Sequence, residues 1–368
     1  MIYRPMGKSG VQVSALSMGC GHLPDDDDKC DELLQACVAA GVNYFETATV
    51  YCGGKCQQKT GQGLEPVRDG IMISAKQGVL LDDEQPGSKE TTGDDFRREI
   101  IENQLPALRT DHVEWCQVGW FSANKIDAVR RKGGVMDGVR RMIDEGIVGH
   151  VGFTSHDSPE NVVKIIETEL FESCTLQYNM LNLSYAPALD AAREHGVAVV
   201  VMGPLSGGML ARPEQALLDL TSDAIRTSRA GLHFVLSNPA VSTACSGMTT
   251  LDHLAENAAS VELAVDNSVW DEAKAIVGRF QAADKTLCTG CNYCRPCPEG
   301  VDISRNLRIR NYLKVYEKAD AVRRAYAEIP SDARADKCTK CGECEEKCPN
   351  DLPVRDLLAE IAEECGSS

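Results

Sequence analysis

The sequence predicts an α/β chain: a (β/α)8 barrel over residues 1–280, followed by a small α-helical domain over residues 281–368. Three observations carry this. Short apolar runs alternate with amphipathic stretches across the first 280 residues. Eight such strand–helix units occupy about 265 residues, the size of one barrel. The composition then changes, with eight of the 17 cysteines gathered into two runs between residues 288 and 348.

The opening Tyr3–Val13, with its Lys8-Ser9-Gly10 turn, reads as a hairpin closing the barrel bottom. Barrel strands are expected at Ala15–Met18, Tyr44–Glu46, Ile71–Ser74, Val113–Val118, His150–Phe153, Thr175–Tyr178, Ala198–Met202 and Ser242–Ala244. Helices are expected between them at Asp31–Ala40, Asp94–Leu108, Met136–Asp144, Pro159–Thr168, Pro187–Glu194 and Asp223–Ser237. Leu251–Ser260 follows the last strand. The unit after Tyr44–Glu46 has only a weak helical signal, around Cys56–Leu64. The run Asp25 to Asp28 leads into a helix, where its charge suits the N-terminus. In the second domain, Leu307–Ala327 is rich in Ala, Arg, Lys and Tyr and reads as helical.

At 368 residues and 43% hydrophobic content, the chain can bury a sizeable core. Its net charge is −17, and residues 281–368 hold 14 basic against 16 acidic side chains, so the acidity lies mostly in the first domain. No basic stripe exists to neutralise phosphates, which argues against a nucleic-acid partner. The opening MIYRPMGKSG has no apolar signal stretch, and Val197–Met202 is too short to span a bilayer. The expectation is a cytoplasmic chain without a membrane partner.

The first cysteine run is Cys288, Cys291, Cys294 and Cys297, each two residues from the next, then Pro298. The second is Cys338, Cys341, Cys344 and Cys348, with gaps of two, two and three residues, then Pro349. The second has the spacing of a bacterial [4Fe–4S] ligand run, and the first is one residue shorter before its last cysteine. Zinc is the competing reading, but a tetrahedral zinc site usually joins two cysteine pairs across a longer loop. Two [4Fe–4S] clusters are therefore expected in a ferredoxin-like module. In two-cluster ferredoxins the last cysteine of each run serves the other cluster. That assigns Cys288, Cys291, Cys294 and Cys348 to one cluster, and Cys338, Cys341, Cys344 and Cys297 to the other.

Chemistry in such barrels sits at the C-terminal ends of the strands. There the second strand runs into Glu46–Tyr51 and the third ends in Ala75 and Lys76. The remaining strand ends are Gln117–Trp120, Thr154–Asp157, Gln177–Asn179, Gly203–Leu210 and Cys245–Met248. A phenol titrates at about 10, too high for easy proton exchange at neutral pH. A nearby ammonium stabilises the phenolate, and a carboxylate fixes the ammonium. Tyr51, Lys76 and Glu46 on adjacent strand ends thus read as a proton-donor site. Trp115 and Trp120 read as packing and pocket wall, and Cys52 and Cys56 as loop cysteines beside the pocket.

These segments resemble the aldo-keto reductases, in particular the subgroup with a C-terminal [4Fe–4S] ferredoxin-type domain. The resemblance rests on RPMGKSGVQVS from Arg4, GVNYFETA from Gly41, VGHVGF from Val148 and HDS from His156. It continues with QYN from Gln177, PLSGG from Pro204, SGMTT from Ser246 and Glu256-Asn257. The family uses an Asp, Tyr, Lys and His tetrad with a nicotinamide, NADH or NADPH. The resemblance puts Tyr51 and Lys76 in that tetrad, Glu46 in place of its Asp, and Gly119 in place of its His. It implies carboxamide contacts from Gln177 and Ser155. Pyrophosphate and adenine contacts are implied for Pro204, Leu205 and Ser206, within the loop to Leu210, and for Glu256 and Asn257. Met202 and Gly203 stand where many members stack an aromatic ring on the nicotinamide. Gly247 and His253 stand where many grip a 2′-phosphate. His156 is the imidazole nearest the barrel mouth, with a positional role or as a substitute for the missing one.

Three functions are consistent with these features. One is hydride reduction or oxidation of a small carbonyl, alcohol or enone, with Tyr51 as proton donor. A second is single-electron reduction of a substrate through the clusters, without nicotinamide. The third is a barrel that serves as the electron-transfer subunit of a complex with a redox partner protein.

Overall fold

The computed structural model describes all residues except 83, 85–86, 181, 209–227, 263–285, 289, 291–292, 317–318, 349 and 367–368. Several expectations fall outside the described residues. These are the boundary at 280/281, the loop end at Met209 and Leu210, the first five residues of Asp223–Ser237, Cys291 and Pro349.

Two short strands, β1 (Tyr3–Pro5) and β2 (Gln12–Ser14), pair antiparallel as the expected hairpin. Eight parallel strands close the barrel: β3 (Leu16–Gly19), β4 (Tyr44–Glu46), β5 (Met72–Gly78), β6 (Val113–Gly119), β7 (Val148–Thr154), β8 (Ser173–Gln177), β9 (Ala198–Met202) and β10 (Val241–Ser246). Each pairs with the next, and β10 pairs with β3. The strands are buried on both faces, which explains near-continuous runs such as AVVVM.

Met6 and Val13 of the hairpin segment join Tyr44, Met72, Trp115 and Ala198 in one buried cluster at the start of the strands. This apolar plug closes one end. Further along the strands the buried side chains turn polar, with Ser17, Ser74, Gln117, Thr175 and Gln177. Trp115 bridges the two zones: it stacks on His150 at 4.4 Å and donates from Nε1 to Ser173 Oγ at 2.6 Å.

Helices follow most strands near their expected places. The acidic run caps the first one. Asp26 accepts from the Lys29 amide at 3.0 Å, and the helix runs Asp27–Ala39, four residues earlier than the expected start. The weak signal at Cys56–Leu64 is a helix over those residues.

The chain divides into two compact units. The first comprises Met1–Tyr178, Ser184–Met202 and Val235–Leu263; the second comprises Asn179–Leu183, Gly203–Phe234 and Ala264–Ser368. In the second, the helices Ile303–Tyr316, Ala319–Ala327 and Val354–Gly366 enclose a core of Leu307, Tyr312, Val322, Tyr326, Leu358 and Ile361. Among the described residues, no helix is long and apolar enough to cross a membrane.

Candidate active site and cysteine-lined cavity

Barrel closure sets Glu46, Tyr51 and Lys76 side by side. Glu46 is the last residue of β4, paired with Ser74 on β5, and Lys76 lies two residues further along. Tyr51 opens the turn that follows β4. Lys76 Nζ donates to Tyr51 Oη at 2.8 Å and forms an ion pair with Glu46 Oε1. Glu46 and Lys76 are 5% and 3% exposed, so the pair is held in low dielectric. Removing one partner of such a pair strands a buried charge at a cost of about 3–5 kcal/mol.

Lys76 also lies 4.8 Å from the Tyr51 ring centre and 5.9 Å from that of Trp120. Trp120 reaches this place through an unusual backbone. Its φ is 49°, and its amide donates to Thr154 Oγ1 at 3.1 Å. A Cβ on Gly78 would lie 3.3 Å from the Trp120 ring. A Cβ on Gly119 would lie 2.9 Å from Lys76 Cγ. The methylene stem of the lysine thus borders the space where the family's histidine would begin. His156, half-buried, is the imidazole that senses this site. Burial, then the Lys76 charge, lowers its pKa to about 4, so it is neutral at physiological pH.

The positions expected to contact a nicotinamide cofactor divide. Gln177 is buried at the end of β8, and its Oε1 has no hydrogen-bond partner among the described residues, so it can accept an amide N–H. Ser155 is committed locally: its hydroxyl donates to Phe121 O at 2.7 Å and accepts from the Asp157 amide at 3.1 Å. Asn257 is equally engaged, since it is buried and donates from Nδ2 to Ser246 Oγ at 3.0 Å. Glu256 and Gly247 are exposed. Pro204, Leu205 and Ser206 belong to the second unit. Their segment packs backbone to backbone on the first cysteine run, where a Cβ on Gly207 would lie 2.3 Å from Gly290 O.

Sequence reasoning missed a layer behind Lys76. Gln57 donates to Gln104 Oε1 at 2.8 Å, and Gln104 donates to the Lys76 carbonyl at 3.2 Å and to Gln77 Oε1 at 3.1 Å. The signal that could have found it was Gln104 continuing the buried stripe of Phe96 and Ile100 at four-residue spacing.

In the second unit, the described cysteines of the two runs form no disulfides. Cys294, Cys297, Cys338, Cys341 and Cys344 line one cavity. The two runs repeat one turn. Gly290 and Lys340 have left-handed φ of 72° and 60°, and each donates its amide to the cysteine two residues earlier, both at 3.4 Å. Amide hydrogen bonds to sulfur suit cluster-bound thiolates. Asn311 anchors the first run, accepting from the Cys288 amide at 3.0 Å and donating to its carbonyl at 2.7 Å. Among the described residues no three Cys, His, Asp or Glu side chains are close enough to share a single ion. A cubane has four separate irons to offer its thiolates.

Comparison with known proteins agrees with both halves. The aldo/keto reductase family model matches residues 15–277, and a 4Fe-4S dicluster domain matches residues 287–352. An uncharacterised oxidoreductase of Bacillus subtilis, YqkF, is 22% identical over 280 residues, covering 69% of this chain and 89% of that protein. The L-galactose dehydrogenase of Arabidopsis thaliana is 22% identical over 316 residues, with 74% and 93% covered. Among solved structures, the holo form of an aldo-keto reductase from Bacillus halodurans superimposes with a TM-score of 0.64 at 23% identity, covering 75% of this chain and 96% of that one. With a closed parallel barrel and a family match over most of its length, the chain belongs to the aldo/keto reductase family and carries a C-terminal 4Fe-4S dicluster domain.

Proposed function

We propose that the protein reduces a small carbonyl or enone, or oxidises the corresponding alcohol, with Tyr51 as proton donor. The observation that carries this reading is the 2.8 Å bond from Lys76 Nζ to Tyr51 Oη, backed by the ion pair with Glu46. A bound nicotinamide would supply the hydride. Gln177 Oε1 is the acceptor that fits its carboxamide. Tyr51 Oη gives its proton to the substrate oxygen as negative charge develops there. Lys76 stabilises the phenolate left behind, and Glu46 holds the ammonium in place. Neutral His156 retains an N–H with which to polarise the carbonyl, in place of the imidazole absent at Gly119.

The test is turnover of Tyr51→Phe with reduced nicotinamide and a reactive carbonyl, under anaerobic conditions. The expected loss in kcat is about 10²–10⁴-fold with binding retained. Unchanged turnover removes Tyr51 from the mechanism.

The dicluster domain is read as holding two [4Fe–4S] clusters. Cys297, Cys338, Cys341 and Cys344 would bind one, and Cys288, Cys291, Cys294 and Cys348 the other. A second functional reading has these clusters reduce the substrate by single electrons. It is favoured by Gly119, where the hydride-transferring family has its imidazole. Reoxidation of dithionite-reduced protein by substrate alone is the outcome that would support it.

A further inference from the structure

The turn after Tyr51 carries chemistry that carbonyl reduction does not use. Cys52, Gly53 and Gly54 take successive left-handed conformations, with φ of 52°, 62° and 88°. The glycines enter that region freely, whereas Cys52 does so against the steric resistance of its Cβ. The reversal turns Cys52 back toward Cys56, the first residue of the helix Cys56–Leu64. Both thiols converge on one acceptor: each Sγ lies 3.3 Å from the Cys20 carbonyl oxygen. The two sulfurs are therefore at most twice that distance apart.

The two cysteines differ in character. The neighbouring Cys56 thiol, then the Leu23 backbone and the Lys59 charge, hold the Cys52 thiol below its usual range despite partial burial. Cys56 is pushed up, by the neighbouring Cys52 thiol and by burial. Cys20, Cys30, Cys37, Cys116, Cys174 and Cys245 are all pushed up by burial and are inert by the same measure. Cys52 is also reachable. It lines an open groove with Lys55, Lys59, Glu102 and Arg109, whereas Cys56 is buried behind it. An accessible thiol beside a shielded partner is the arrangement of an attacking and a resolving thiol.

We propose that Cys52 and Cys56 form a dithiol redox centre whose co-reactant is a small aliphatic disulfide entering by this groove. Cys52 attacks one sulfur of the co-reactant, forming a mixed disulfide and releasing one thiolate. Cys56 then loses its proton and attacks the Cys52 sulfur, which forms the Cys52–Cys56 bond and releases the second thiolate. The protein thiols lose two electrons and the co-reactant gains them, leaving two small thiols. Cys52 directly follows Tyr51, but the dithiol centre does not depend on the carbonyl-reductase reading.

The test uses the full chain, purified anaerobically with its iron content measured, and hydroxyethyl disulfide as probe. After acid quenching and alkylation, peptide mapping reads each cysteine separately from the cluster ligands. Wild type should yield a Cys52–Cys56 disulfide and two mercaptoethanol per chain. Cys56→Ser should accumulate mercaptoethanol on Cys52, and Cys52→Ser should leave Cys56 alkylatable. In untreated wild type, which needs no variant to fold, iodoacetamide should label Cys52 at least ten times faster than Cys30 or Cys37. Equal labelling rates, or no adduct on Cys52 in Cys56→Ser, would overturn the proposal.

Discussion

At Gly119 the departure from the family is more than a missing imidazole, because the Lys76 stem borders the vacated space. A Cβ there would sit 2.9 Å from Lys76 Cγ, inside any comfortable contact. Gly119→His should therefore displace the lysine rather than restore a tetrad. Overpacking of about 1–3 kcal/mol placed on the proton relay should lower kcat/KM by roughly tenfold. A gain in carbonyl turnover would show that the site accepts the family residue. His156 makes a second prediction, on stability. Its folded pKa is about 4, whereas the unfolded imidazole titrates near 6.5. Between those values the unfolded chain binds the extra proton, so stability is complete above about pH 6.5 and declines as pH falls toward 4. Between about pH 7.5 and 5.5, wild type should lose on the order of 1 kcal/mol more than His156→Asn. That is roughly 2–4 °C in Tm. Carboxylates titrate in both proteins and cancel in the comparison; equal losses would mean His156 is not neutral in the fold.

Elements bounded by strong local chemistry were legible in the sequence. Tyr44–Glu46 and Ala198–Met202 were expected as they occur, since aromatic and β-branched residues there meet clear breaks. The hairpin before the barrel was legible from its turn residues. The first helix was placed four residues late because its acidic start looked like a solvated lead, although Asp26 caps it. Tyr51, Lys76 and Glu46 were legible as a group only because strand alternation put them on neighbouring strand ends. Gln57 and Gln104 were not, because hydrogen bonds between distant helices leave no local pattern. Nor was the packing of Gly207 on Gly290, which joins segments far apart in sequence. Asn311 belongs to the same class: it sits mid-helix, yet it holds both backbone groups of Cys288. Asn311→Ala frees that turn. On the two-cluster reading proposed above, iron and sulfide should fall from about eight of each per chain toward about four, with helix content preserved. Full iron loading would show that the cysteines alone position the turn.

For the molecule as a whole, the proposed function gives the two matched domains electrons in different units. A nicotinamide delivers two as hydride, while a [4Fe–4S] cluster passes one at a time. Joining the two normally takes a cofactor able to do both, such as a flavin, which the hydride reading does not invoke. The hydride reading therefore predicts that the clusters stand apart from turnover. When reduced nicotinamide and a carbonyl substrate are mixed with the anaerobic, oxidised protein in a stopped-flow spectrometer, nicotinamide absorbance should decay while cluster absorbance stays constant. Mixing with nicotinamide alone should leave the clusters oxidised. The converse arm uses dithionite-reduced protein and substrate without nicotinamide, and under the hydride reading the clusters should remain reduced. Cluster bleaching by nicotinamide would mean that an electron-splitting centre is present. Reoxidation by substrate, abolished in Tyr51→Phe, would instead move the chemistry to single-electron reduction with Tyr51 still supplying the proton. Both results are read from cluster absorbance, so a chain that merely fails to turn over is not mistaken for either.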